Sequence, residues 1–176
     1  PILWIGSDGP ELNYYSYRDN KIHSLINNTN SRIARVHSMS ETCDSLLWVG
    51  SGSRLLRISI EAHGNTIKAK DIRTIYFRVP NRQQYNQIYS IYPENDSILW
   101  IGMNTQTEAY QLISFDKNGI APMNDILCIH QDKNKIIWVG SSYGLTRLTL
   151  LPNGEYDYKN FNENEGLPNN TIHGIA

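Results

Sequence analysis

The sequence is short of most features that announce a chemistry. It holds only two cysteines in 176 residues, Cys43 and Cys128, too few for a disulfide framework or a cysteine-rich zinc site. Both are read as free thiols, with Cys128 a small core residue inside an apolar strand. An excess of one charge is missing too: 16 Lys and Arg stand against 17 Asp and Glu, for a net charge of −1. That gives no global attraction to nucleic acid, and no nucleic-acid partner is expected. No apolar run approaches the roughly 20 residues of a membrane-crossing helix, and no secretory leader opens the chain. The chain begins at Pro1 directly before an apolar strand, as a piece of a longer protein would. There is no phosphate-binding glycine loop, no nucleophile elbow and no Cys–His pairing. The five histidines, His23, His37, His63, His130 and His173, lack the close spacing of metal ligands. No metal, cofactor or catalytic residue is therefore expected. No stretch holds a 3.6-residue apolar period, so no helix is expected either.

What is there is a repeated word. Ile2–Gly6 (ILWIG), Leu46–Gly50 (LLWVG), Ile98–Gly102 (ILWIG) and Ile136–Gly140 (IIWVG) contain all four tryptophans, Trp4, Trp48, Trp100 and Trp138, spaced 44, 52 and 38 residues apart. A period near 40 with one Trp per unit marks a repeat architecture. Four apolar residues closed by a glycine read as a strand buried on both faces, since successive side chains point to opposite sides. Sheets covered on both faces and repeated along the chain are the blades of a β-propeller. The fold class is all-β: a propeller segment of about four blades, each a four-stranded antiparallel sheet, forming an open arc of a larger propeller.

A second word, Ile-x-x-Val/Ile, precedes the Trp word at Ile33–Val36, Ile88–Ile91 and Ile126–Ile129, and recurs at Ile172–Ile175. Polar turns separate the two, so each unit reads as strand A, a hairpin turn, and the Trp strand B. Ile88 and Ile126 lie 12 residues before their tryptophans and Ile33 lies 15 before Trp48, which suggests extra residues in a Ser40–Asp44 loop. Strands C follow at Glu11–Tyr17, Arg54–Ile60, Ala109–Phe115 and Leu145–Leu150. Strands D follow at Lys21–Ile26, Asp71–Phe77 and Tyr156–Phe161, with none evident after Phe115. An insertion or long hairpin falls within Glu61–Gln87. The units are then 1–31 (partial), 32–86, 87–124 and 125–170, with 171–176 the first strand of a further blade.

The two words together resemble the two-component regulator propeller repeat. The run Gly166-Leu167-Pro168-Asn169-Asn170 before Thr171–Ile175 is similar to the start of that repeat. Asp132, Ile137-Trp138-Val139-Gly140 and Gly144-Leu145 are similar to the rest of it. The Gly-Leu-Pro start is absent from the earlier units, and Gly-Leu is missing after Gly102. The resemblance implies the periplasmic sensor region of a hybrid two-component histidine kinase of the kind that regulates polysaccharide utilisation in Bacteroidetes. It further implies an oligosaccharide ligand, contacts with other blades of the same protein, and a homodimeric receptor, with the kinase outside this segment.

Candidate binding residues follow from the architecture. Loops carried on rigid sheets present ligands, and the D–A and B–C loops of a propeller share one rim. That rim offers Arg54, Gln106, Glu108 and Tyr143 from B–C loops and Arg82 and Tyr85 from the long D–A connection. Aromatics, amides and arginine together suit a hydroxyl-rich ligand. The segment Arg54–Arg82 holds seven basic residues against two acids. It reads either as a patch for an anionic glycan or, preferably, as lysine and arginine protecting strand edges. Trp4, Trp48, Trp100 and Trp138, with Gly6, Gly50, Gly102 and Gly140, are read as repeat core, the tryptophans almost wholly buried. Two other functions remain open: a protein-interaction scaffold, and a propeller lyase or glycosidase.

Overall fold

The computed structural model describes residues 1–42, 45–76, 86–94, 99–105, 109–114, 120–121 and 126–176. They form four antiparallel sheets in chain order. The first is β1 (Ile2–Ile5), β2 (Asn13–Ser16) and β3 (Lys21–Ser24); the second is β4 (Val36–Thr42), β5 (Leu46–Ser51), β6 (Arg54–His63) and β7 (Thr66–Tyr76). The third is β8 (Asn86–Pro93), β9 (Leu99–Thr105), β10 (Ala109–Ser114) and β11 (Ile120–Ala121); the fourth is β12 (Ile126–Gln131), β13 (Ile137–Ser141), β14 (Gly144–Leu150) and β15 (Tyr156–Phe161). Each sheet is a simple meander, as propeller blades are. The third blade does have an outer strand, β11, reduced to two residues. Among the described residues the one helical feature is a 3-10 turn at Glu163–Glu165, closed by a capping box from Asn162 and by Gly166 at φ 100. The chain divides into two compact units, Pro1–Ile88 and Tyr89–Ala176.

Within each unit one blade lays its Trp face on the opposite face of the next. In the first, Trp4 and Tyr14 pack on a core containing Leu47, Val49, Leu56 and Ile58 of the second blade. In the second, Trp100 packs with Ile126, Ile137, Val139 and Leu148 of the fourth. Burying apolar side chains at about 25 cal/mol per Å² is the main force holding such blades together.

The glycine that closes each Trp word is required by this stacking. A Cβ built on Gly6, Gly50, Gly102 or Gly140 would lie 2.8, 2.8, 2.6 and 2.8 Å from the side chains of Val36, Ile88, Ile126 and Ile172 respectively. Val36 and Ile126 open the strands A, β4 and β12, Ile88 is the third residue of β8, and Ile172 lies in 171–176, so the glycine marks where the following segment of chain crosses the Trp strand.

This contact also corrects the alignment of the first complete unit. Val36, not Ile33, is the counterpart of Ile88 and Ile126. The ladder bears this out: Val36 pairs Ser51 and Ser38 pairs Gly50 across a bulge, as Ile126 pairs Ser141 and Cys128 pairs Gly140. Val36 stands 12 residues before Trp48, the same spacing as in the other units. No extra loop is needed, and residues 36–42 are strand. At the far end, residues 171–176, expected as the first strand of a further blade, pair with no strand among the described residues. Ile172 still occupies the place over Gly140, and its N–H donates to Ser141 O at 2.9 Å.

The tryptophans are less buried than expected. Trp100 is 3% exposed, but Trp4, Trp48 and Trp138 are half-buried. Adjacent apolar residues place a side chain on a sheet face but do not set how much of that face the next blade covers. Three of the indole N–H groups donate to a carboxylate: Trp4 to Glu41 at 3.2 Å, Trp100 to Glu94 at 2.6 Å and Trp138 to Asp132 at 3.0 Å. An indole removed from water needs such an acceptor, and Trp100, the most buried, makes the shortest of the three bonds.

Within the expanded stretch after Trp48, β6 and β7 form a long hairpin. β6 and β7 pair to a two-residue turn whose first residue, Gly64, has φ 62. A bulge between Ser59 and Ile60 bends it. The distal half then lies against the first blade: Ile26 bridges Lys68, and the Tyr14 hydroxyl accepts the Ile67 N–H at 3.0 Å. Tyr14, 1% exposed, stacks on His23 and meets Trp4 edge-on.

Candidate functional site

The second blade turns from β5 to β6 through Gly52 and Ser53, with Gly52 at φ 58. Before this blade the chain crosses from the first along residues 25–35. These B–C and D–A segments lie side by side. Gly52 N–H donates to Arg35 O at 3.1 Å, and Ile88 N–H donates to Gly52 O at 3.1 Å. Ser51, 1% exposed, joins them. Its hydroxyl accepts the Ala34 N–H at 3.0 Å, donates to Ala34 O at 2.5 Å and accepts Arg54 Nη2 at 3.4 Å.

Between the two segments opens a cavity of about 350 Å³, lined by Arg32, Arg35, Arg54, Ser51, Ser53 and Gln87 among others. Arg54 is half-buried, and Arg32 and Arg35 are exposed. Among the described residues no Asp or Glu lines the cavity, and none of the three arginines has an ion-pair partner. Arg35 holds φ 53, uncommon for a residue with a Cβ; its carbonyl is fixed by the Gly52 bond.

Of the residues expected from sequence, Arg54 lies in this cavity. Tyr143 sits in the matching turn of the fourth blade, 57% exposed, with its N–H donating to Ser141 Oγ at 3.0 Å. Gln106, Glu108, Arg82 and Tyr85 lie outside the described residues. Arg32 and Arg35 were missed, because reading residues 33–36 as strand A placed both arginines within or beside a ladder. The strand begins at Val36, which leaves them in the loop.

A second cavity, of about 500 Å³, lies at the hairpin bulge beside Arg57, Ile60, Glu61, Lys70 and Asp71. Its charges cancel. Glu61 pairs with His63 at 2.9 Å, and that hydrogen bond holds its carboxyl below the ordinary value. Lys68, Lys70 and Arg73 lie on β7, the edge strand of its sheet, where charge blocks pairing with another edge.

Cys128 is a free thiol, half-buried, with Sγ 3.7 Å from Ile172 O; burial pushes its pKa up, which makes it a poor nucleophile. Cys43 lies outside the described residues. Among the described residues no group of three or more His, Cys, Asp or Glu could hold a metal, and no helix is long and apolar enough to cross a membrane.

Comparison with known proteins agrees with this architecture. The two-component regulator propeller family matches residues 121–143. Histidine kinase P4 of Formosa agariphila is 24% identical over 162 residues, which cover 85% of this chain and 11% of that protein. The extracellular domain of the hybrid two component system BT4673 of B. thetaiotaomicron superposes with a TM-score of 0.67 at 19% identity, over 98% of this chain and 23% of that one. A catalytically inactive virginiamycin B lyase from Staphylococcus aureus superposes with a TM-score of 0.52 at 17% identity, over 96% of this chain and 57% of that one. At such identities the superpositions speak to fold alone. The chain spans about a tenth of the curated relative it matches and under a quarter of the sensor domain. Residues 121–143, which include β12 and β13, match the two-component regulator propeller repeat, and the chain is a propeller segment similar to the extracellular domains of hybrid two-component systems.

Proposed function

We propose that this chain is part of the periplasmic sensor propeller of a hybrid two-component histidine kinase, and that its loop rim takes part in recognising an oligosaccharide. The observation that carries the reading is the cavity between the D–A and B–C loops of the second blade. It is a concave, polar site of about 350 Å³, held by backbone bonds on a rigid sheet, and it lies where binding residues are expected on a propeller. The likeness to the BT4673 extracellular domain and to histidine kinase P4 supports placing the segment outside the inner membrane, in a receptor that carries a kinase.

A sensor of this kind signals only if its ligand has different affinities for two arrangements of the receptor. The intact sensor region is the right object to test, since neighbouring blades and a second subunit would complete the site. Calorimetry against a panel of plant and host oligosaccharides should give saturable binding to one of them. The absence of binding across a broad panel, with a tight protein partner recovered by pull-down, would replace this reading with that of a protein-interaction scaffold.

A further inference from the structure

We infer that the cavity lined by Arg32, Arg35 and Arg54 is a subsite for an oxyanion, so that the recognised saccharide is acidic and presents a carboxylate or sulfate there. The inference rests on the sensing function proposed above and narrows its ligand class.

Three arginines line one cavity, and among the described residues no carboxylate pairs with them and no acidic residue lines it. Arginine on a solvated surface usually meets a counter-charge or stands alone, whereas clusters of it mark carboxylate and phosphate-like recognition. The guanidinium has five N–H donors. Arg54 uses one on Ser51 Oγ, a bond that orients the group and leaves most of its fork for a ligand. Ser51 is held in turn by the N–H and C=O of Ala34. The backbone of the wall that carries Arg54 is thus fixed to the loop that carries Arg32 and Arg35, so that binding has to order only the exposed side chains of the latter two.

The repeat itself does not require these charges. In the fourth blade the residue that matches Arg54 is Gly144, as Ser51 pairs Arg54 where Ser141 pairs Gly144. The residue that matches Arg35 is Thr171, since Val36 and Ile172 occupy the same place over Gly6 and Gly140. The blade is built equally well without arginine at either position, which leaves the charge to be explained by something that binds there.

The test uses the intact sensor region with three probes of equal length: a galacturonic acid tetrasaccharide, a sulfated galactan tetrasaccharide and a neutral galactan tetrasaccharide. Binding is read by calorimetry at two salt concentrations. The site is read by phenylglyoxal labelling of arginines followed by mass spectrometry, with Arg73 as control. One acidic probe should bind, slow the labelling of Arg32, Arg35 and Arg54 but not of Arg73, and weaken with added salt. Arg54→Gln and Arg35→Gln should each weaken it tenfold or more while thermal unfolding stays unchanged. The responding probe decides between carboxylate and sulfate. Binding of the neutral probe alone, or acidic binding indifferent to both substitutions, would overturn the oxyanion subsite and leave oligosaccharide sensing standing. Binding of no probe, with labelling unaffected, would overturn the subsite; failure across the broader panel is what removes the sensing function.

Discussion

The indole N–H of Trp138 donates to Asp132 Oδ2 at 3.0 Å, while the N–H groups of Asn134 and Ile136 donate to Asp132 Oδ1 at 2.8 and 3.1 Å. One carboxylate closes the A–B turn and anchors the Trp of strand B. Glu94, at the corresponding place six residues before Trp100, accepts that indole and also the Tyr156 hydroxyl of the neighbouring blade. The acid of the turn therefore acts as a bracket for the Trp.

The bracket makes stability depend on pH. The Trp138 hydrogen bond, aided by those of Ile136 and Asn134, holds the Asp132 carboxyl below its ordinary 3.8. Asp19 shifts the same way through Ser16 and His23, and Glu61 through His63. A depressed folded-state pKa stabilises the fold above the unfolded value, and that contribution is lost as pH falls through the folded one. Stability should thus fall on acidification below about pH 4. Trp138→Phe should raise the Asp132 pKa toward 3.8, as read by an NMR titration of its carboxyl carbon. An unchanged titration would remove the indole as the cause.

Thr42 occupies the bracket position of the second blade, six residues before Trp48, and its hydroxyl is buried without a partner among the described residues. An unmade buried hydrogen bond costs about 1–3 kcal/mol. Thr42→Val keeps the shape and removes the polar atom, so it should be neutral or stabilise by about 1 kcal/mol in denaturant unfolding. A loss of stability would mean that the hydroxyl has an acceptor after all.

Gly140→Ala should destabilise by about 1–3 kcal/mol through overpacking. Its Cβ would sit 2.5 Å from Cys128 Sγ and 2.9 Å from Ile172 O, and a backbone oxygen cannot swing aside. Gly50→Ala should behave alike, at 2.6 Å from Ser38 Oγ and 2.9 Å from Ile88 O. Gly174→Ala, with nothing within 4 Å, is the neutral control. Differential scanning calorimetry of the three variants checks the order.

Tyr14→Phe should loosen the long hairpin from the first blade. It removes the acceptor of the Ile67 N–H and strands a buried donor, at a cost of about 1–3 kcal/mol. Amide exchange at Ile67 and Ala69 should accelerate while that of β5 stays slow. Uniform acceleration would mean that Tyr14 supports the whole unit rather than the hairpin.

Much of this protein is legible in its sequence, because the propeller repeats a local pattern. Strands B were readable from four-residue apolar runs closed by glycine, and strand D at Tyr156–Phe161 matches the structure end to end, since turn residues bound it on both sides. The similarity of Asp132 to the repeat's turn acid was visible as well. What sequence could not supply was anything set by the contact of one blade with another. Ile33 and Val36 are equally apolar, and only the approach of Gly6 to Val36 decides which of them opens strand A. That one decision moved Arg32 and Arg35 from a ladder to a loop, and with them the composition of the candidate site. The partial exposure of Trp4, Trp48 and Trp138 was hidden for the same reason: apolar neighbours in sequence say that a side chain faces a core, but how far the neighbouring blade covers it is set by folding. Local periodicity fixes strands and turns; the distances between blades, which fix register, burial and the arginine cavity, belong to the tertiary structure.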